Sequence, residues 1–224
     1  MLSISGITPF TCIDFPEKLS AVLFCQGCTW RCGYCHNRHL QPFSQPLISW
    51  DAILHFLEER KAFLDAVVFS GGEPTQQKML DAAIRDVRSM GYKIGLHTAG
   101  VYPEGLRKVL SLVDWVGMDI KAPFSKYPTV TRVENSGKKA RESAEMLIQA
   151  NVAYEFRTTV DPGLLTPEDL SLLVDELVKL GAKSYVIQPV CRDGKKENGL
   201  MAHPIFDQTF LGKLGARFER FCVR

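Results

Sequence analysis

Leu19-Ser-Ala-Val-Leu-Phe-Cys25 is an apolar run of strand length, and it leads straight into Gln26-Gly-Cys28-Thr-Trp-Arg-Cys32-Gly-Tyr-Cys35-His-Asn37. Four of the seven cysteines fall within these few residues. Thiolates packed this densely favour soft, electron-rich partners, which means zinc or an iron–sulfur cluster. Gly27, Gly33 and the polar residues around them favour a loop. A loop can aim several sulfurs at one point, and a buried strand ahead of it fixes where that point lies.

Spacing bears on which metal. A zinc ribbon separates its two Cys-x-x-Cys knuckles by roughly a dozen residues or more, so that two turns can face each other. Here Cys25/Cys28 and Cys32/Cys35 are three residues apart, and tetrahedral closure by all four is cramped. Cys28-x3-Cys32-x2-Cys35 offers another arrangement. Three thiolates hold three irons of a [4Fe–4S] cluster and leave the fourth iron open to a small molecule. Cys25 has two readings. It is a small residue ending a buried strand, which is preferred, or it is a fourth ligand in a zinc site or an alternative cluster state.

Outward from this loop, strands and helices alternate. Ser49 is a good N-cap for a helix over 50–61. Residues 66–70 read as a second buried strand ending in Gly71-Gly72-Glu73-Pro74. A helix follows with Met79, Ala83, Val87 and Met90 on one face. Strands at 93–97, 114–119, 153–159 and 184–188 alternate with helices at 103–113, 138–150 and after Thr166, where Pro167 and two acids suit a first turn. Residues 123–135 read as a polar loop, 192–199 as a Gly/Lys-rich loop and 204–222 as a last helix. Residues 2–19 read as short strands and turns.

Six strand–helix pairs in strict alternation predict a parallel sheet with right-handed crossovers and helices outside it. There are too few for a closed eight-fold barrel. The expected fold is α/β, an open partial TIM barrel, (β/α)6, in one domain over residues 1–224. Residues 1–19 are its N-terminal segment and 20–37 its cluster-loop region. A length of 224 residues and 46% apolar residues suit one sizeable core. A net charge of +2 argues against a large nucleic-acid footprint. No apolar run approaches the ~20 residues of a membrane span. The absence of a secretory pattern and the odd, clustered cysteines point to the reducing cytoplasm rather than a disulfide framework.

Ligands of parallel α/β folds sit at the carboxyl ends of strands. Those ends carry the cysteine loop, the Gly71-Gly72-Glu73-Pro74 run, His97-Thr98, Asp119 with Lys121, Arg157-Thr158-Thr159 and Gln188. Each has a plain alternative, such as a tight turn at Gly71-Gly72 or a solvated pair at Asp119/Lys121. Their convergence on one mouth with the cysteine loop favours a site.

Three cysteines so spaced, an aromatic residue (Tyr34) before the last, and Gly-Gly-Glu-Pro after the next strand resemble the radical S-adenosylmethionine (SAM) superfamily. Gln26-Gly27-Cys28, Cys35-His36-Asn37 and Met118-Asp119-Ile120-Lys121 are similar to the activating enzymes of glycyl radical enzymes. The segment Thr11-Cys12-Ile13-Asp14-Phe15-Pro16-Glu17-Lys18-Leu19 looks closest to the activating proteins of anaerobic (class III) ribonucleotide reductases. The resemblance implies a [4Fe–4S] cluster on Cys28, Cys32 and Cys35, and SAM bound through its amino and carboxylate groups to the open iron. It places the backbone of Gly71, Gly72 and Glu73 at the methionine amino group and Lys121 at the SAM carboxylate. Tyr34 lies against the adenine and Gln188 on the adenosine side. Asp119 helps to hold a monovalent cation or the substrate end of the site.

Two departures stand out. Where pyruvate formate-lyase activating enzymes have Asp-Thr-Asn-Gly, this chain has His97-Thr98-Ala99-Gly100, and imidazole is a poor ligand for an alkali cation. Where they have a His after strand six, this chain has Pro189-Val190-Cys191, and Cys191 receives no catalytic role. His36, His39 and His203 default to structural or solvent-facing roles.

The implied activity is reductive cleavage of SAM and abstraction of a glycine hydrogen on a glycyl radical enzyme. A flavodoxin or ferredoxin would be the electron donor. One rival reading is a radical SAM enzyme acting on a small molecule, as a 7-carboxy-7-deazaguanine synthase does. Another is a non-enzymatic zinc module on Cys25, Cys28, Cys32 and Cys35, which leaves the Gly-Gly-Glu-Pro run unexplained.

Overall fold

The structure, a computed structural model, describes residues 2–192, 195–196 and 207–224. In chain order the elements are β1 (Ile4–Thr11), β2 (Ser20–Cys25), α1 (Trp50–Arg60), β3 (Ala66–Gly71), α2 (Leu80–Ser89), β4 (Lys93–Thr98), α3 (Pro103–Val109), β5 (Trp115–Asp119), α4 (Tyr127–Thr131), α5 (Ser136–Gln149), β6 (Ala153–Val160), α6 (Pro167–Leu180), β7 (Ser184–Pro189), β8 (Cys191–Arg192), β9 (Lys195–Lys196), α7 (Gln208–Gly215) and β10 (Arg220–Val223). One eight-stranded sheet runs β1-β2-β3-β4-β5-β6-β7-β10. Strands β2 to β7 and β10 are parallel, and β1 lies antiparallel on β2 at the edge. The expected partial (β/α) barrel is what the chain forms.

Alternation along the strands makes two different faces. Leu23, Cys25, Val67, Phe69, Ile94, Leu96, Val116, Met118 and Phe156 point to the large core shared with the helices, and each is fully buried. The opposite, inner face carries a smaller cluster of Phe15, Val22, Ala66, Val68 and Trp115. Phe15 belongs to the β1–β2 connection, so that segment folds back into the arc and fills its lower half. A Cβ at Gly95 would stand 2.9 Å from both Phe15 and Val68, so β4 uses glycine to make room for the Phe15 ring.

Local signals place several helix starts. The Ser49 hydroxyl accepts from Ala52 N at 3.2 Å, and Thr166 and Asp169 form a reciprocal capping box. Three expectations need correction. The polar loop expected over 123–135 contains α4, and α5 begins at Ser136 rather than 138, because Tyr127 and Thr131 are buried and tie the segment to its neighbours. Met79 precedes α2 and is 45% exposed, and the buried stripe is Leu80, Ala83, Ile84 and Val87. The last helix expected over 204–222 ends at Gly215. The chain then turns, and β10 pairs with β7, Phe221 lying against the Tyr185 ring. The start of that helix, His203, most of the 192–199 loop and the side chain of Cys191 lie outside the described residues. None of the described helices is long and apolar enough to cross a membrane.

Candidate active site

The carboxyl ends of the strands open on one cleft of about 810 Å3, within the size range of small-molecule sites. Cys28, Cys32, Cys35 and Tyr34 line one side of it, Gly71 and Gly72 lie at the end of β3, and Asp119, Lys121 and Gln188 come from β5 and β7. Of the site residues expected from sequence, Glu73 alone does not line the cleft.

Backbone bonds hold the cysteine loop. Gly27 N donates to Leu40 O at 2.8 Å, Cys28 N to Gln41 O at 3.0 Å, and Cys35 N closes a turn on Cys32 O at 3.1 Å. Arg31 N donates to Thr131 O at 2.9 Å, and the buried Trp30 meets the Tyr127 ring edge-on at 5.7 Å, which docks the loop on α4. Gly71 (φ +110°) and Gly72 lie against the same loop. A Cβ on Gly71 would come within 2.4 Å of Cys25 backbone atoms, and one on Gly72 within 2.4 Å of Gly27 O. Glycine is therefore required here by the approach of loop to loop, besides any ligand.

The thiols sit in a low-polarity setting. Burial, and then the charge of Glu73, push Cys28 up to about 12. Burial raises Cys32, and the nearby Lys121 ammonium opposes it. Among the described residues, no group of three His, Cys, Asp or Glu side chains is arranged to hold a single metal ion. Cys25 is fully buried in the outer core and does not line the cleft, so three cysteines of the four face the cavity.

A charge network crosses the floor. Lys121 Nζ stands 3.3 Å from Asp119 Oδ2 and 5.6 Å from the Tyr34 ring centre, and Arg157 Nε stands 3.3 Å from Asp119 Oδ1. Burial alone would raise the Asp119 pKa, but Lys121 and Arg157 outweigh it and hold the carboxylate below its ordinary value. Burial alone would likewise lower Lys121, yet Tyr34, Asp119 and Cys32 hold it well above the ordinary lysine value. The Tyr34 hydroxyl is buried with no hydrogen-bond partner among the described residues. His97 faces Asp14 O at 2.9 Å through Nε2 and Ser70 Oγ at 3.5 Å through Nδ1. The shorter contact, to a carbonyl that can only accept, favours the neutral tautomer with the proton on Nε2, with Arg157 Nη1 farther off at 3.4 Å from the same nitrogen. Burial, then Arg157, lower its pKa to about 3. His97 thus pins the β1–β2 connection to the end of β4.

Sequence reasoning placed His97 and Arg157 at the mouth but missed Asp14, Glu155 and Arg224. The last two form an ion pair beside the cleft. Asp14 lies in the segment 11–19 that carries part of the family resemblance, which was the available signal. Glu155 and Arg224 meet only through the pairing of β10 with β7. Tyr127, whose hydroxyl accepts from Lys121 N at 3.0 Å, had no sequence signal.

Residues 22–177 match the radical SAM superfamily. A Methanocaldococcus jannaschii protein provisionally named a glycyl-radical enzyme activating enzyme is 34% identical over 176 residues, covering 75% of this chain and 72% of its own length. A second M. jannaschii protein with the same provisional name is 27% identical over 170 residues, covering 75% of this chain and 63% of its own. The Streptococcus suis SuiB crystal structure superposes with a TM-score of 0.68 at 14% identity. It covers 89% of this chain and 47% of SuiB, so the chain spans about half of that protein's length. With the three-cysteine loop and the open parallel arc, these matches make the chain a member of the radical SAM enzyme superfamily, of oxidoreductase type and homologous to glycyl-radical enzyme activating proteins.

Proposed function

We propose that this chain activates a glycyl radical enzyme, the first candidate being an anaerobic (class III) ribonucleotide reductase. The observation that carries the reading is the convergence of Cys28, Cys32 and Cys35 with Gly71, Gly72, Asp119, Lys121 and Gln188 on one cleft, in a chain related to proteins of activase name.

The donor set fits a [4Fe–4S] cluster. Of the four loop cysteines, Cys28, Cys32 and Cys35 line the cavity and Cys25 is buried in the core, while Cys12 lines the cavity from the β1–β2 connection, outside the loop. Three closely spaced thiols suit a cluster with one open iron better than a zinc ion on the four loop cysteines. Held by Cys28, Cys32 and Cys35, the cluster would supply one-electron reduction of SAM and with it the radical chemistry that removes a substrate hydrogen. Lys121, held charged beside Asp119, would pair with the SAM carboxylate. Tyr34 would lie against the adenine. The Gly71-Gly72 backbone would meet the methionine amino group, with Gln188 on the adenosine side. Arg157 and Lys121 share the Asp119 carboxylate, so the charge beside it is supplied by side chains. Glu73 would act indirectly, because it does not line the cleft, its backbone N donates to Gly27 O at 2.9 Å and its carboxylate is committed to Thr75, Thr98 and Ala99. A flavodoxin or ferredoxin would supply the electron, and a partner's glycine loop would fill the mouth and exclude water.

The test is anaerobic reconstitution with iron and sulfide, followed by reduction with SAM and an anaerobic ribonucleotide reductase. The expected result is about four irons per chain, their loss in Cys28→Ala, Cys32→Ala or Cys35→Ala, and their retention in Cys25→Ala. A glycine-centred radical should appear in the partner with one 5′-deoxyadenosine per radical. Rapid SAM cleavage on a small heterocycle, with no protein radical, would establish the small-molecule reading instead.

A further inference from the structure

Three arginines lie against the cysteine loop. The Arg31 guanidinium donates to Trp30 O at 3.0 Å and to Cys28 O. Arg38 donates to Gly33 O. Arg132, at the end of α4, holds its Nη2 3.8 Å from the position a Gly33 Cβ would take. All three are exposed, and none lines the cleft. None is ion-paired with a carboxylate among the described residues, whereas Lys126 nearby is paired with Asp169 and Lys121 with Asp119. A guanidinium has five N–H donors, so capping one or two carbonyls leaves most of its hydrogen-bonding capacity and all of its charge facing water.

Capping alone accounts for Arg31 and Arg38 but not for Arg132, whose guanidinium has no such bond among the described residues. Arg31 and Arg38 from the loop and Arg132 from the end of α4 thus gather three cations with no carboxylate partner among the described residues, a surface that attracts an anionic partner. None of them lines the cleft, yet Arg31 bonds Cys28 O, Arg38 bonds Gly33 O and Arg132 lies beside Gly33, all within the loop that carries Cys28, Cys32 and Cys35. An electron reaching a cluster on those cysteines must come from outside the chain. Entry from the cleft side would compete with SAM and substrate.

We infer that Arg31, Arg38 and Arg132 form the docking surface for a small acidic electron-carrier protein, placed to deliver one electron to the cysteine loop from outside the cleft. The inference rests on the proposal that these cysteines hold a cluster. The step transfers no atoms: the reduced carrier loses one electron and the cluster gains it. Charge complementarity of this kind sets encounter rate and orientation, and salt weakens it.

The probe is flavodoxin, bound to the iron-loaded protein and followed by titration calorimetry at low and high salt. Cluster reduction by flavodoxin and by dithionite is followed separately. Arg132→Glu, which breaks no hydrogen bond to the loop, should keep its iron and its reduction by dithionite. It should weaken flavodoxin binding by about tenfold at low salt, with a smaller salt dependence. Replacing all three arginines by Glu should weaken binding further, and replacing all three by Lys should restore it, since charge and not the carbonyl caps is what the carrier reads. Parent-like flavodoxin affinity in Arg132→Glu and in the triple Glu variant would overturn the inference alone. So would weakened binding of the ribonucleotide reductase with flavodoxin binding unchanged. A parent chain that takes up no iron would overturn the cluster reading and this inference with it.

Discussion

The Glu73 carboxylate and the Thr98 hydroxyl meet at 2.6 Å in a fully buried bond that joins the loop after β3 to the end of β4. The same carboxylate accepts from Thr75 Oγ1 at 2.6 Å, Thr75 N at 3.1 Å and Ala99 N at 2.9 Å. Every neighbour is a donor, so an acceptor-only side chain is required. Glu73→Gln turns one NH2 toward a donor and should lower stability by about 1–3 kcal/mol. Urea unfolding should show a lower midpoint at unchanged m-value. An unchanged midpoint would mean that the bonds between these two strand ends carry no stability.

Gly72→Ala should disturb the cysteine loop itself. Its Cβ would stand 2.4 Å from Gly27 O and 2.8 Å from Leu40 O, both backbone atoms that cannot swing away. Overpacking of this kind costs about 1–3 kcal/mol. Thermal unfolding should show the loss, and iron retained after reconstitution should fall. Full iron loading with weaker SAM binding alone would place the steric conflict at the ligand instead.

His97 makes stability depend on pH. In the folded chain its pKa is lowered from 6.5 to about 3. Below pH 6.5 the unfolded chain therefore binds a proton that the folded chain does not. The contribution is complete above that value and is lost as pH falls toward 3, at up to about 1.4 kcal/mol per unit. Urea unfolding of the parent and His97→Gln at pH 7 and pH 5 should give a parent slope steeper by about 2 kcal/mol across that interval. Equal slopes would mean that His97 titrates normally in the folded chain.

Tyr127→Phe keeps the ring under Trp30 but removes the acceptor for Lys121 N. SAM affinity of the iron-loaded protein should fall about three- to tenfold while iron content holds. Lys121→Met should weaken SAM binding by itself, and adding Tyr127→Phe to it should change nothing further, because the tyrosine acts through the lysine. Independent, additive losses in that cycle would assign Tyr127 a packing role only.

Much of this architecture is written in short stretches of sequence. Runs such as Ala66-Val-Val-Phe are of strand length, apolar and bounded by turn residues, so burial on both faces leaves them few alternatives. Because parallel strands all end on one side, Cys28, Asp119 and Gln188 could be assigned to one mouth without knowing a single distance. The cysteine spacing is local, and so is the turn at Cys32–Cys35.

Arg220-Phe-Cys222 was read as the end of a helix, and Leu211, Leu214, Phe218 and Phe221 do repeat with near-helical spacing. What makes it strand is the open edge of β7 and the Tyr185 ring that Phe221 covers, and both lie far away in sequence. Residues 127–131 look polar and loop-like, yet Trp30 and Lys121 together draw Tyr127 inside.

What the sequence determined by itself, then, was the alternation of strands and helices from β2 to β7, the end of the sheet where a site could lie and the loop spacing of Cys28, Cys32 and Cys35, since each follows from periodicity or spacing along the chain. The tertiary structure alone decided that Cys25 turns to the core, that Glu73 is committed to β4, that His97 pins Asp14, and that Arg157 and Lys121 share one carboxylate. Those are contacts between strands brought side by side, and the direction of a side chain depends on register and on the partners that compete for it.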